Sequence, residues 1–282
     1  MKENVRPRGR SAVTDRDPDT SLRALAKQIR LAVLSGSKRA NVGHIGSGLS
    51  VVEIIAALYG HVLRVAAPDD PDRDRFILSK GHAALALYAA LRARDWIDEE
   101  TFDSYCGDHS LAGTHPDHQL AGIDFSTGSL GLGLSFGAGA ALAARLSGSG
   151  RRVYVLVSDA ECNEGSVWES VMFAAQHGLS NLVAIIDANG QQALDQTHRV
   201  LDLSPLEARW AAFGWQTQVV DGHDPGQLTR ALSSVSSSAP RVVVARTVFG
   251  KGVSFMEGQI KWHYMPMNDD EYRQAVEQVD RY

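Results

Sequence analysis

The sequence predicts an α/β fold in which a parallel sheet carries helices on both faces. Two runs of strand length, Val153-Tyr154-Val155-Leu156-Val157 and Leu182-Val183-Ala184-Ile185-Ile186, are continuously apolar rather than alternating, as strands buried on both sides are. Stretches of helical periodicity separate these and the other candidate strands, which is the pattern of crossover units. The 282 residues are 44% hydrophobic, enough to bury a substantial core.

Residues 1–19 are polar and broken by Pro7, Gly9 and Pro18, which predicts a mobile arm. Residues 20–282 carry no linker and no internal repeat and read as one domain. From Ser21, the positions Leu22, Leu25, Ala26, Ile29, Ala32 and Val33 recur at helical spacing, with Gly36 as the expected stop. Gly43-His44-Ile45-Gly46-Ser47-Gly48 reads as a glycine-rich turn before a second apolar helix over about 49–63. After a charged turn at 68–74, Phe76-Ile77-Leu78-Ser79 reads as a short buried strand ending at Lys80-Gly81-His82, with an alanine- and leucine-rich helix behind it. Ser126-Thr127-Gly128-Ser129-Leu130-Gly131-Leu132-Gly133 opens a helix of small residues running to about Leu146. Val167, Val171, Ala174 and Ala175 mark one face of the next helix, which Gly178 ends. Ser204-Pro205 and Asp224-Pro225 each offer an N-cap followed by proline at the first helical position. Residues 215–220 and 241–248 complete the strand candidates.

Lys+Arg 28 against Asp+Glu 33 leaves a net charge of -5 without a basic patch, so neither nucleic acid nor an acidic membrane is an expected partner. The mean hydropathy of -0.16 and the lack of a long apolar run argue against a membrane span and for a soluble protein. Lys2, Arg6, Arg8 and Arg10 have no apolar stretch behind them, so no secretory signal is expected. Cys106 and Cys162 are too few for a disulfide framework and fit reduced thiols in a cytoplasmic protein.

Ligands of a parallel sheet gather just past the carboxyl ends of its strands. Ser158-Asp159-Ala160 follows one apolar run and Asp187-Ala188-Asn189-Gly190 the next, and the crossover between them sets Asp159 beside Asn189. A carboxylate, an amide oxygen and the Gln191 carbonyl form half of an octahedral oxygen shell, suited to Mg²⁺ that also holds phosphate. The bland alternative makes Asp159 a helix N-cap and Asn189-Gly190 a tight turn. Among ten histidines, His44, His82, His115 and His263 each stand in a glycine- or proline-marked loop or beside an element end, which suggests a polyol or proton-transfer pocket. A zinc site through His115-x-x-His118 lacks a helix to align the rings and a third ligand. The glycines of the loop at 126–133 let backbone approach a ligand, and the helix start behind them offers N–H groups to an anion.

Taken together, the chain resembles the thiamine-diphosphate-binding N-terminal half of transketolase, in the version encoded as two subunits. The matching motifs are Gly43-His44-Ile45-Gly46, Leu78-Ser79-Lys80-Gly81-His82, His115-Pro116, Ser126-Thr127-Gly128-Ser129-Leu130-Gly131, Glu164-Gly165-Ser166-Val167-Trp168-Glu169, and Gly250-Lys251-Gly252-Val253-Ser254-Phe255-Met256 with Trp262-His263. They span the chain from about Leu22 to its end. The resemblance implies a thiamine-diphosphate-binding fold, with thiamine diphosphate and Mg²⁺ as cofactors. Asp159, Asn189 and the Gln191 carbonyl would hold the metal. His82, Gly128, Ser129 and Leu130 would line the diphosphate side, with Ala160, Glu164 and His263 among the cofactor contacts. His44, His115 and His263 would face the sugar and the thiazolium carbon as the catalytic set.

The implied activity is transfer of a two-carbon ketol unit from a ketose donor to an acceptor. The alternatives are a relative that delivers the unit to a carrier-protein thiol or an unusual sugar in specialised metabolism, and a catalytically silent structural or regulatory subunit. Two departures stand out. Ser158-Asp159-Ala160 replaces the usual glycine-aspartate-glycine, so the Ala160 methyl would crowd the cofactor and weaken or displace it. The chain also ends at Tyr282 without the following domain, which in this family carries the activating glutamate and most of the sugar-phosphate contacts. A separate pyrimidine-binding subunit is therefore the expected partner, in a heterotetramer acting on ketose and aldose substrates. Its docking face is expected to include the loop at 128–133 and the helix after Glu164, with Trp168 and Met172 adding apolar surface.

Overall fold

The computed structural model describes residues 18–236 and 238–281. The expected mobile arm lies outside these residues except for Pro18 and Asp19, which already belong to the first helix. Five strands, β1 (Arg75–Leu78), β2 (Val153–Ser158), β3 (Leu182–Ala188), β4 (Gln216–Asp221) and β5 (Arg241–Arg246), form one all-parallel sheet in the order β1-β2-β3-β5-β4. Pleating sends successive side chains to opposite faces. Val153, Val155 and Val157 of β2 join Leu182, Ala184 and Ile186 of β3 in one core, while Tyr154 and Leu156 join Val183 and Ile185 in the other.

The second of these cores is closed by α1 (Pro18–Ala40), α2 (Ile45–Ser50), α3 (Val52–Ala57), α4 (Ala84–Ala93) and the short α5 (Glu99–Asp103). The first is closed by α6 (Gly133–Leu146) and α7 (Gly165–Gln176). Beyond an exposed turn, α8 (Thr197–Val200), the helix α9 (Leu206–Ala212) adds Trp210 to that same side. The elements α10 (Pro225–Ser233), α11 (Lys261–Tyr264) and α12 (Asp269–Arg281) return to the opposite face. Helices therefore cover both faces, as the continuous apolar runs require. The edge strand β4 departs from that rule, for only Val220 is buried along it. No helix among the described residues is long and apolar enough to cross a membrane.

Several local expectations are corrected. Gly36 does not stop α1, which runs to Ala40; a Cβ there would lie 2.9 Å from Leu85 Cδ1, so this glycine is a packing notch for α4. Only the first half of 43–48 is a turn, because left-handed His44 (φ 60°) redirects the chain and α2 begins at Ile45. The apolar helix expected over 49–63 breaks at Val51 (φ -102°, ψ 3°) and ends in a π-turn over Leu58–Val62. Asp224-Pro225 behaves as expected, with the aspartate accepting from the Gln227 N–H at 2.9 Å. Ser204 is not a cap, however. Pro205 occupies the cap position of α9, and the preceding turn is held by Asp202 accepting from the Ser204 N–H at 2.8 Å.

Candidate active site

At the carboxyl ends of β1, β2 and β3 lies a cavity of about 370 Å³ whose walls include His44, His82, His115 and His263. They come from the entry to α2, the turn after β1, the loop after α5 and the helix α11. The rings of His44, His82 and His263 stand 5.2–5.5 Å apart by centroid, and His115 packs on the loop at Gly128. A backbone bond from the His44 N–H to the His263 carbonyl (3.1 Å) ties the two most distant contributors together. His44 Nδ1 and Asn163 Oδ1 on this cavity are buried without a hydrogen-bond partner. Unsatisfied buried polar atoms at a cavity wall call for a polar ligand.

Burial lowers the pKa of all four imidazoles. For His82 the Lys80 charge adds to burial, and for His263 burial, His44 and Lys80 together bring the value to about 4. Neutral rings can accept a proton from a substrate hydroxyl as well as donate a hydrogen bond to it. A pH dependence follows. An unfolded histidine titrates near 6.5, so between that value and about 4 the unfolded chain binds a proton at position 263 that the folded chain refuses. The stability present above pH 6.5 is thus lost as pH falls toward 4. Wild-type melting temperature is expected to fall more steeply from pH 7 to 5 than that of His263→Asn. Equal slopes would show that His263 does not refuse the proton; the difference also cancels groups of opposite sign such as Asp159.

The ends of β2 and β3 meet as the motif spacing requires. Ser158 pairs with Asp187, so the Asp159 carboxylate reaches across to accept from the Gly190 N–H (2.8 Å) while its other oxygen accepts from the Ala160 N–H (2.9 Å). The helix-cap alternative for Asp159 fails, because Ala160 holds the cap position of the short turn that follows. Gly190, at φ 74°, does make the tight turn. Asn189 donates through Nδ2 to Asp187 (2.8 Å), which leaves its Oδ1 toward Gln191, whose N–H it accepts at 2.9 Å. The bonds closing the next loop use the Gly190 and Asp195 carbonyls and not that of Gln191. Burial, aided by Asp187, pushes Asp159 up to about 7. A buried carboxylate strained in this way beside an amide oxygen and a carbonyl is an all-oxygen donor set of the kind a hard divalent cation satisfies.

Asp187 is the hub that sequence reading missed. Fully buried with Lys80, it accepts hydrogen bonds from Lys80, Thr247, Asn189 and Ser50, the last at 2.7 Å. Its signal was a carboxylate closing an apolar strand. Glu161 was missed as well. Its buried side chain accepts from the Gly131 N–H (2.8 Å), the Ser158 N–H (3.2 Å) and Ser79, whose own hydroxyl accepts from the Gly133 N–H at 3.1 Å. The N–H groups of Gly131 and Gly133 are therefore already engaged and are not among those this helix start offers to an anion.

Gly128, Leu130, Ala160, Glu164, Asn189 and Gln191 line the cavity with the four histidines. Ser129 is exposed and lies outside the lining, and Asp159 borders a neighbouring cavity of about 520 Å³ instead. His118 is exposed and paired with Ser126 at 2.9 Å rather than set beside His115, and no group of three or more His, Cys, Asp or Glu among the described residues could hold a metal. Trp168 is half-buried, donating to the Cys162 carbonyl (2.8 Å) and packing on Trp210, so it belongs mainly to the core; Leu132, Met172 and Phe173 are exposed apolar residues of that loop and helix.

Comparisons with known proteins point to one family. The family described as "Transketolase, thiamine diphosphate binding domain" matches residues 21–280. The chain is 39% identical over 245 residues to an apulose-4-phosphate transketolase subunit of Phocaeicola vulgatus, covering 86% of this chain and 87% of that one. It is 36% identical over 261 residues to a 6-deoxy-6-sulfo-D-fructose transketolase subunit of a Clostridium species, covering 91% and 95%. Among solved structures, transketolase from Campylobacter jejuni superposes with a TM-score of 0.86 at 26% identity, over 93% of this chain and 43% of that one.

Proposed function

The chain belongs to the transketolase family, matching its thiamine-diphosphate-binding domain, and from that premise we propose that it is one subunit of a split transketolase, transferring a two-carbon ketol unit with a separate pyrimidine-binding partner. The observation that carries this reading is the four-histidine cavity beside the Asp159, Asn189 and Gln191 oxygen set. Thiamine diphosphate, when bound, supplies the stabilised carbanion on which ketol transfer depends. The chain's own residues hold and orient. Asp159, Asn189 and the Gln191 carbonyl would hold Mg²⁺, and Gly128, Leu130 and His82 would wall the diphosphate. His44, His115 and His263, neutral near pH 7, would hydrogen-bond the sugar hydroxyls and carry protons between them. Two relatives this similar are named as transketolase subunits, which supports a partner chain.

Among the described residues, Lys80 is the only Lys or Arg lining the cavity, and it is committed to Asp187. An anionic end on the ketose, phosphate or sulfonate, would therefore be held by the partner. Reconstituting the pair and assaying ketose phosphates and ketose sulfonates against aldose and carrier-thiol acceptors tests the proposal. Cofactor-dependent appearance of a ketose two carbons longer than the aldose acceptor is expected; a thioester on the carrier thiol, formed only when a two-electron oxidant such as a carrier disulfide is also supplied, would favour the specialised alternative, and absence of cofactor binding the silent one.

Ala160 has an ordinary right-handed conformation (φ -62°, ψ -39°), so nothing in the backbone demands glycine there, and its side chain lies on the cavity wall. Ala160→Gly is expected to tighten cofactor binding measured by calorimetry, at a cost of up to about 1 kcal/mol in fold stability. Unchanged or weaker affinity would show that the pocket already accommodates the methyl.

A further inference from the structure

Away from the cavity, on the face covered by α1, α3 and α10, a carboxylate is buried between two cationic or donor side chains. Glu53 is 4% exposed. One of its oxygens accepts from the Arg30 guanidinium and the other faces His223 Nδ1 at 2.9 Å. His223 Nε2 in turn accepts from the Val248 N–H at 2.8 Å. A backbone N–H can only donate, so Nε2 carries the lone pair, the ring is neutral, and Nδ1–H donates to Glu53. Arg30 uses its Nε on the Lys251 carbonyl at 3.0 Å. The two arms thus grip backbone groups of residues 248 and 251, one on each side of Phe249 and Gly250.

The gripped segment reaches the cavity. Phe249 lines it and stacks on His263 at 6.3 Å with the rings 19° from parallel. Gly250, at φ 77°, donates its N–H to the Gly46 carbonyl at 2.9 Å, and a Cβ on Gly46 would fall 2.1 Å from the Phe249 ring. Phe249 is therefore seated against α2 with no slack, and its backbone is held from behind. We propose that Arg30, Glu53 and His223 are positioning residues whose shared buried carboxylate clamps residues 248–251, and so fixes the Phe249 wall and the His263 ring for cofactor binding. The proposal rests on reading the four-histidine cavity as the thiamine diphosphate site.

Glu53→Gln tests it with almost no change of shape. Arg30 and the His223 Nδ1–H both need an acceptor, and a carboxamide presents one oxygen where the carboxylate presents two, so one arm must fail. In the full chain, amide exchange at Val248 and Gly250 is expected to accelerate by about tenfold, the scale of one lost buried hydrogen bond. The His263 ring resonances should move, and thiamine diphosphate affinity at saturating Mg²⁺, measured on the assembled enzyme, should weaken by about the same tenfold factor. The control is Asp124→Asn, which disrupts the buried Arg73–Asp124 pair beside the start of β1. It should destabilise the chain but leave these readouts within about twofold, as distant sites act independently.

His223→Ala gives a second route if Glu53→Gln does not fold. It severs only the Val248 arm and opens onto a solvent-connected cavity of about 200 Å³, so it is expected to fold and to show the same faster exchange and weaker affinity. Unchanged exchange at Val248 and Gly250, or an equal response in Asp124→Asn, overturns the clamp. Faster exchange with unchanged affinity overturns its role at the site. If the wild-type assembly binds no thiamine diphosphate, the cofactor reading itself fails, while the exchange data still decide whether the clamp exists.

Discussion

Purified alone, this chain is expected to leave a ketose phosphate uncleaved, and to gain turnover only when the pyrimidine-binding subunit is added. The chemistry needs a carboxyl group to activate the aminopyrimidine, and the resembled family draws it from the other domain. Glu164, the carboxylate on the cavity wall, is exposed at the cap of α7. Open to water, it is not enclosed against a cofactor ring as an activating carboxyl must be. Loss of one positioned proton-transfer group costs on the order of 10²–10⁴-fold in rate, and an open cavity would leave the reacting centre accessible to water. The exposed Leu132, Met172 and Phe173 would give such a partner apolar surface to cover, in an obligate interface expected to bury roughly 2,000 Å² or more. Ketose cleavage and native mass, measured for the chain alone and for the pair, decide the matter. Full turnover by the lone chain would sink both the split-enzyme reading and the external origin of the activating glutamate.

Asp159→Ala should abolish the stabilisation that thiamine diphosphate and Mg²⁺ confer on the assembled enzyme, with the fold retained. Its carboxylate bridges the ends of β2 and β3 through the Ala160 and Gly190 N–H groups. Those two donors lie in turns beside cavities, where water can replace the carboxylate. A ligand at 100 times its dissociation constant adds about 2.7 kcal/mol. At roughly 2–4 °C per kcal/mol for a chain of this size, the wild type should gain several degrees in melting temperature on cofactor addition and the variant none. Equal gains at saturating Mg²⁺ would remove Asp159 from the site.

By itself, the sequence determined the sheet and the meeting of two polar loops at its carboxyl edge. Continuous apolar runs can be satisfied only by burial on both faces, which made β2 and β3 central and parallel on pattern alone. Because a strand delivers its next residue to a fixed edge, Asp159, Asn189 and Gln191 were legible as neighbours. The four histidines were legible as a set through their glycine-marked settings, although nothing local placed the rings of His44, His82 and His263 5.2–5.5 Å apart.

Tertiary structure alone decided the supporting contacts. Gly36 is a notch rather than a stop because Leu85 and Phe102, far along the chain, press on it. The Lys80–Asp187 pair joins the ends of two strands that are not adjacent, and Glu161 pins a glycine loop from thirty residues away. Arg30, Glu53 and His223 meet across separations of 23 and 170 residues. Periodicity and turn chemistry report on a residue's near neighbours in the chain. A buried charge is tolerable only where a partner stands within hydrogen-bond reach, and which partner that is depends on how distant elements pack.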